Sequence, residues 1–319
     1  MKYLVTGSSG FIGYHLCNRL CLEGLDVIGI DNMNSYYDVN LKKLRLKNLR
    51  KHSNFMQIKS DMSQYENLRK FFEKEKPDYV INLAAQPGVR YSITNPEVSI
   101  RNNINAFFNL LECCKKNPVK SLIYASSSSV YGNNKKTPFS IENNVDHPVS
   151  LYAATKKSNE LMAYTYHHLY NIPMTGLRFF TVYGPYGRPD MAYYKFSLNI
   201  MKGEPIDVYN NGNMERDYTY IDDVIESIFR LLKKEIVNDY KLFNIGGEHP
   251  VNLLYFIETL EKKLGYRAVK VFKEMQPGDV RITCADSSEL AKYIKYKPET
   301  RIEEGLDKFV KWFKEYYKF

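Results

Sequence analysis

Four short apolar runs, Tyr3–Val5, Val27–Ile30, Tyr79–Leu83 and Leu122–Ala125, constrain this chain more than any other feature. They are bounded by turn residues and rich in β-branched side chains, the pattern of strands buried on both faces. Between them lie longer segments with apolar residues at helical spacing: Phe11–Leu22, Leu68–Glu75 and Asn102–Lys116. Strands alternating with helices predict an α/β fold, a doubly wound parallel sheet, over the first half of the chain. After about Leu177 the rhythm loosens. Turn-rich Gly184–Asp190 and Tyr209–Asn213 separate shorter elements, so a second, smaller α/β lobe is expected there.

The first strand ends in Gly7-Ser8-Ser9-Gly10-Phe11-Ile12-Gly13, and Phe11 opens a helix. Glycines suit this position because the turn is tight and the backbone must come close to a pyrophosphate. The helix N-terminus then offers free N–H groups and a positive dipole end to that anion. Asp31 lies 18 residues past Gly13, at the end of the second strand. A carboxylate there accepts hydrogen bonds from both hydroxyls of an adenosine ribose and repels a 2′-phosphate. No Arg follows within five residues, so NAD is favoured over NADP. Asp61, near the end of the third strand, either bounds the adenine or serves as a turn aspartate.

Charge and composition narrow the partners. The net charge is +9, but its basic residues are dispersed. The densest cluster, Lys42, Lys43, Arg45, Lys47, Arg50 and Lys51, reads as the exposed face of one helix, which argues against nucleic acid and for a small anionic substrate. Cys17, Cys21, Cys113, Cys114 and Cys284 form no metal-ligand spacing and read as buried thiols of a reducing, cytoplasmic compartment. The six histidines include no His-x-x-x-His pair, so no metal site is expected. Met1 runs directly into a strand, which does not resemble a signal peptide, and no apolar run approaches the ~18 residues of a membrane span.

Tyr152-Ala153-Ala154-Thr155-Lys156 puts a phenol and an ammonium on one face of a helix. A Tyr with an ordinary pKa near ~10 is a poor base at neutral pH, and a nearby cation favours its phenolate. The serine run Ser126–Ser129 ends the strand Leu122–Ala125, upstream of that helix. Hydroxyl, phenol and ammonium then converge at the carboxyl ends of parallel strands, where open α/β sheets bind ligand.

With these motifs the chain resembles the extended short-chain dehydrogenase/reductases over essentially its full length. The resemblance implies a Rossmann-like NAD-binding domain over 1–176 and a mainly substrate-binding domain over 177–319, with part of 217–247 returning to the first. It selects Ser127, the fifth residue before Gly132 of Val130-Tyr131-Gly132, and assigns Ser127, Ser129, Tyr152 and Lys156 to catalysis. It assigns Gly7, Gly10, Phe11, Ile12, Gly13, Asp31, Asn32, Asp61, Met62, Leu83, Ala84, Ala85, Asn103, Tyr152 and Lys156 to the cofactor. Related sugar-nucleotide 4,6-dehydratases carry Asp-Glu where Ser128 and Ser129 stand, and related decarboxylases carry Glu at the position of Ser129. Without an acid there, oxidation without elimination leaves epimerisation as the simplest outcome.

The stretch from Arg178 to Ala192 is similar to one in UDP-glucuronate 4-epimerases, as are Asn34–Asp38, Gln86–Ser92 and Pro205–Tyr209, which contains Val208. The resemblance implies that Thr181 and Arg188 hold a sugar carboxylate, with Arg90 a rival cation for that task. It implies Arg216 on the diphosphate, Asp279 of Gln276-Pro277-Gly278-Asp279-Val280 on a ribose hydroxyl, Val208 at the nucleotide and Thr283 facing the sugar. Arg281 stands where those epimerases lead one to expect Pro. Asp222 and Asp223 read as caps of the helix that follows. The expected activity is NAD-dependent interconversion of UDP-glucuronate and UDP-galacturonate through a 4-keto sugar. The alternatives are 4-epimerisation of UDP-glucose or UDP-N-acetylglucosamine, and a non-catalytic NAD-binding module. Helices Asn102–Lys116 and Leu151–Tyr170 resemble the family's four-helix dimer interface, so a homodimer is expected.

Overall fold

A computed structural model describes residues 1–234, 239–276 and 278–319; Pro277 of the expected ribose-binding turn lies outside them. In chain order the strands are β1 (Lys2–Thr6), β2 (Asp26–Asp31), β3 (Phe55–Lys59), β4 (Tyr79–Asn82), β5 (Ser121–Ser127), β6 (Met174–Phe179), β7 (Thr181–Tyr183), β8 (Ile206–Tyr209), β9 (Glu215–Tyr220), β10 (Tyr240–Ile245), β11 (Pro250–Asn252) and β12 (Lys270–Lys273). The helices are α1 (Phe11–Leu22), α2 (Val39–Leu49), α3 (Tyr65–Glu75), α4 (Val89–Thr94), α5 (Pro96–Ser99), α6 (Ala106–Lys116), α7 (Leu151–Tyr170), α8 (Ala192–Lys202), α9 (Ile221–Leu232), α10 (Leu253–Leu264), α11 (Ser288–Ile294) and α12 (Ile302–Tyr317).

The chain packs into two compact units. The first comprises Met1–Asn133, Ile141–Phe179 and Ile228–Phe243, and the second Asn134–Ser140, Phe180–Ser227 and Asn244–Phe319. Residues 134–140 join the second unit through Phe139, whose N–H donates to the Cys284 carbonyl at 2.7 Å.

Among the described residues a seven-stranded sheet runs in the order β10-β6-β5-β4-β1-β2-β3. Every junction from β6 to β3 is parallel. This is the doubly wound α/β sheet that the apolar runs predict. Its interior packs Leu4, Ile28, Val80 and Leu122 of the strands against Leu110, Leu111 and Phe72 of α6 and α3. The order reverses between β1 and β4, the position at which such sheets open a crevice for ligand. In the second unit, β11-β9-β7 form one small sheet and β12-β8 another. Tyr183, Tyr193 and Tyr194 are buried there with Phe309 and Phe313 in edge-to-face contacts. Part of the chain's complement of 27 tyrosines is thus an aromatic core.

Three local expectations change. The helix expected over Asn102–Lys116 begins earlier: α5 runs through a π-helical turn, Ile100–Asn105, into α6. The basic cluster is not one exposed face. Arg45 is 0% and Lys42 4% exposed, because α2 packs against the glycine loop and the ammonium and guanidinium both lie over the Tyr37 ring. Asp223 does not cap α9. Its carboxylate accepts from Tyr296 Oη at 2.8 Å and Thr300 N at 3.0 Å, tying the helix to the chain ahead of α12.

Candidate active site

Turn geometry builds the cofactor end of the first unit. Gly7 takes φ +69°, a left-handed conformation that favours glycine, and a Cβ there would lie 2.9 Å from the Ala84 nitrogen. A Cβ on Gly13 would collide with the Gly7 carbonyl, so α1 can lie this close to β1 only with glycine at that position. Gly10 stands at the N-cap of α1, so the helix has no side-chain cap, and its first turn carries no acid. Its orphan N–H groups and positive dipole end therefore lie beside the glycine loop without an acid of the helix's own first turn. Phe11 is buried behind this turn. Across it, Leu83 N–H donates to the Thr6 carbonyl at 3.3 Å, and Ala84 N–H to Thr6 Oγ1 at 3.1 Å.

Asp31 ends β2 and is 8% exposed. Its carboxylate accepts from Ser9 N at 3.0 Å and Met33 N at 2.8 Å. Arg45 Nη1 donates to the Ser9 carbonyl at 2.9 Å, so both main-chain groups of Ser9 are held by side chains. Asp61 accepts from Ser63 N at 2.9 Å and Ser63 Oγ at 2.7 Å, and from Asn32 Nδ2 at 3.5 Å. Burial works to raise its pKa, but these hydrogen bonds outweigh burial and bring it below the ordinary carboxylate value. Asn32 and Asp61 line a cavity of about 710 Å³ together with Tyr36, Gln86, Tyr91 and Arg101. Met62 is buried, and its carbonyl accepts from Asn109. A diphosphate fits the glycine cradle and an adenosine fits a carboxylate-edged cavity of that size.

The reactive side chains sit on α7 and at the end of β5, which pack against each other. Ser150 caps α7 by accepting from Ala153 N at 3.1 Å, which fixes the turn carrying Tyr152. One turn on, Lys156 is 2% exposed and its ammonium donates to the Ala125 carbonyl at 2.9 Å. The ammonium is 6.0 Å from the centre of the Tyr152 ring, and burial pushes its pKa down to about 8. Ser127 closes β5, its Oγ accepting from Ser129 N at 3.2 Å. The π-helical turn presents Asn103, whose amide donates to Thr155 Oγ1 at 3.0 Å; Thr155 in turn donates to the Tyr152 carbonyl at 2.7 Å. Asn103 also accepts from Gln86 N at 2.7 Å, so it couples the segment after β4 to α7. Arg90 lies exposed on α4 in this unit.

A buried network behind this set escaped the sequence reading. Glu160, one turn beyond Lys156, accepts from Ser126 Oγ at 2.5 Å and from Arg178 Nε and Nη2, each at 2.9 Å. Arg178 Nη1 donates to Tyr131 Oη at 3.1 Å. Consecutive residues of β5 are thereby anchored to α7, Ala125 by Lys156 and Ser126 by Glu160. The signals were present in the i+4 spacing from Lys156 and in an Arg inside an otherwise apolar strand.

The remaining candidates belong to the second unit. Thr181 opens β7. Arg188 forms a two-point ion pair with Asp190, Nε to Oδ1 at 3.1 Å and Nη2 to Oδ2 at 2.5 Å. Val208 is fully buried in β8, in register with Phe272. Arg216 Nη1 donates to the carbonyls of Glu215 at 2.9 Å and Arg281 at 3.2 Å. Asp279 N–H closes its turn on the Gln276 carbonyl at 3.2 Å. Thr283 is 8% exposed and its Oγ1 accepts from Asp217 N at 3.1 Å, so its hydroxyl serves β9. The buried Asp217 carboxylate accepts from Gly247, Glu248 and Ala285 N–H groups and so fixes the segment that carries Thr283.

The chain is similar throughout its length to known proteins. Protein CapI of Staphylococcus aureus is 53% identical, the match covering 100% of each chain. A protein of Rhizobium meliloti (strain 1021) described as a probable UDP-glucuronate 4-epimerase is 44% identical, over 100% of this chain and 98% of the relative. The crystal structure of UDP-glucuronic acid 4-epimerase from Bacillus cereus, in complex with UDP-glucuronic acid and NAD, superposes with a TM-score of 0.93. It is 36% identical, with 99% of this chain and 100% of that chain covered. The model of the epimerases, described as the NAD dependent epimerase/dehydratase family, matches residues 3–246, and the chain belongs to that family.

Proposed function

We propose that this protein is an NAD-dependent UDP-sugar 4-epimerase that interconverts UDP-glucuronate and UDP-galacturonate. The observation that carries the reading is the set of Ser127, Tyr152 and Lys156 on β5 and α7, with hydroxyls and no carboxylates at 128 and 129. Such a set can exchange a proton and polarise a carbinol, but it offers no acid there for a departing group. The Rhizobium and Bacillus relatives support the choice of sugar.

Gly7, Gly10 and Gly13 hold the cofactor's diphosphate and Asp31 its ribose. NAD supplies the acceptor for the C4 hydride and returns that hydride to the ketone. Tyr152 takes the C4 hydroxyl proton while Ser127 hydrogen-bonds the same oxygen, and Lys156 keeps the phenol ionised. After the 4-keto sugar has turned over, Tyr152 returns the proton. Arg216 and Asp279 hold the nucleotide, and Thr181 and Arg188 take the carboxylate. The 4-keto sugar is a β-keto acid, which loses carbon dioxide when the bond to its carboxylate stands perpendicular to the ketone plane. A clamp on the carboxylate keeps that bond nearer the plane.

The assembly we propose is a homodimer through α6 and α7. Phe108, Leu161 and Tyr164, exposed on those helices at 46%, 58% and 56%, support it, and sedimentation velocity would test it. Among the described residues no helix is long and apolar enough to cross a membrane. The free, largely buried cysteines support work in the reducing cytoplasm.

Incubation of purified protein with UDP-glucuronate, followed by the sugar proton couplings in NMR, tests the reaction. Inversion at C4 is expected. Inversion of UDP-glucose with UDP-glucuronate untouched would replace this reading with a neutral-sugar epimerase.

A further inference from the structure

A guanidinium that selects a carboxylate works best when it is aimed before the ligand arrives, because ordering a long side chain on binding opposes affinity. In the second unit the backbone of Gly184–Asp190 is fixed at several points. Gly184 takes φ +143° with its Cα against Ile221. Tyr186 adopts φ +55°, a left-handed conformation that only a firm anchor maintains in a bulky residue. Its ring lies on Trp312 with centroids 5.0 Å apart. A Cβ on Gly187 would collide with the Tyr193 hydroxyl, so the main chain there lies directly on α8. Met191 N–H then donates to the Arg188 carbonyl at 3.2 Å, and this turn sets Asp190 beside Arg188.

We propose that Asp190 is the positioning residue of carboxylate recognition: it grips one edge of Arg188 and aims the other at the sugar carboxylate. The inference rests on the reading of this chain as a UDP-glucuronate epimerase. A guanidinium has two edges on which paired N–H bonds run parallel, Nε–Nη2 and Nη1–Nη2. Asp190 takes the Nε–Nη2 edge at 3.1 and 2.5 Å, so a second carboxylate is met in the paired fashion only on the Nη1–Nη2 edge. Both partners are about a quarter exposed, 24% and 23%, within reach of a ligand and partly shielded from water. Charge follows the same logic. Arg188 and Asp190 together are neutral, so the pair does not collect anions indiscriminately. A carboxylate gains two aligned bonds there, whereas a hydroxymethyl group has no matching pair of acceptors.

The test uses the NAD-loaded full-length enzyme with Asp190→Ala, Asp190→Asn and Asp190→Glu. Wild-type turnover of UDP-glucuronate is measured first; its absence would overturn the functional reading and this inference with it. With turnover present, Asp190→Ala should lose about 10- to 100-fold in kcat/KM on UDP-glucuronate, the scale typical of lost outer support, chiefly through KM. Asp190→Glu should restore part of the loss and Asp190→Asn less. Affinity for UDP-glucose, read by calorimetry, should not change. The variant should also form more pentose product. In the loosely held 4-keto sugar the C5–C6 bond breaks, its electron pair enters the enolate of the C4 ketone, carbon dioxide leaves and water returns a proton to C5. Tighter binding of UDP-glucuronate by Asp190→Ala would mean that Asp190 competes with substrate. Equal losses for both sugars would mean that it only holds the loop, and unchanged kinetics that it does nothing to Arg188; each result overturns the proposal.

Discussion

Lys156→Met should stabilise the cofactor-free protein while abolishing turnover. The Lys156 side chain is 2% exposed, and burial pushes its pKa from 10.5 down to about 8. At about 1.36 kcal/mol for each pKa unit, that gap means the folded state disfavours the ammonium by about 3 kcal/mol. Between those two pKa values the unfolded chain binds more protons than the folded one, so stability rises with pH across that window. Below it the penalty is present in full. Met keeps the stem in place and removes the charge. The lost hydrogen bond to the Ala125 carbonyl offsets about 1 kcal/mol, leaving a net gain of about 2 kcal/mol at neutral pH. Urea unfolding of NAD-stripped wild type and variant, followed by circular dichroism from neutral pH to about 10, measures it. The advantage of the variant should be largest near neutrality and fade as pH climbs from about 8 towards 10.5. A variant less stable at neutral pH, or one whose advantage is flat with pH, would refute the reasoning. The result would identify Lys156 as a residue kept for chemistry at the expense of stability.

Tyr152→Phe should lower kcat by about 10²–10⁴, the usual contribution of a positioned general base, with UDP binding retained; near-normal turnover would remove Tyr152 from that role. Asp31→Ala should weaken NAD binding at least about tenfold in a fluorescence titration, since it removes a charged acceptor that also ties down Ser9 and Met33. Equal wild-type affinity for NAD and NADP would contradict the assignment. Glu160→Gln breaks a buried ion pair and should destabilise by about 3–5 kcal/mol in urea unfolding. Adding Arg178→Met should recover much of that, because the loss comes mainly from the stranded guanidinium; a double variant no better than the single would show otherwise.

The sequence by itself determined the doubly wound sheet, the glycine cradle, and the placement of Tyr152 and Lys156 on one helix face and of the serine run Ser126–Ser129 at the end of a strand. Each is written in local spacing: β-branched runs for strands, glycines between a strand and a helix, and a four-residue interval along α7. Only the tertiary structure decided which charged side chains lie inside. Lys42 and Arg45 carry the pattern of a solvated helix face, yet α2 packs them against the glycine loop and Tyr37. Glu160 and Arg178 are 18 positions apart and pair because α7 lies over β5 and β6. The π-helical turn that presents Asn103 to Thr155 leaves no composition signal, because one inserted residue changes the hydrogen-bond register without changing the pattern. Asp190 sits two residues from Arg188, but its grip depends on a loop held by Trp312 and Ile221, which arrive from two distant segments, and by Tyr193 of the helix that follows. Local periodicity specifies elements and the residues along one face. The partner that neutralises a buried charge is chosen by packing between elements, and a single sequence carries no local record of it.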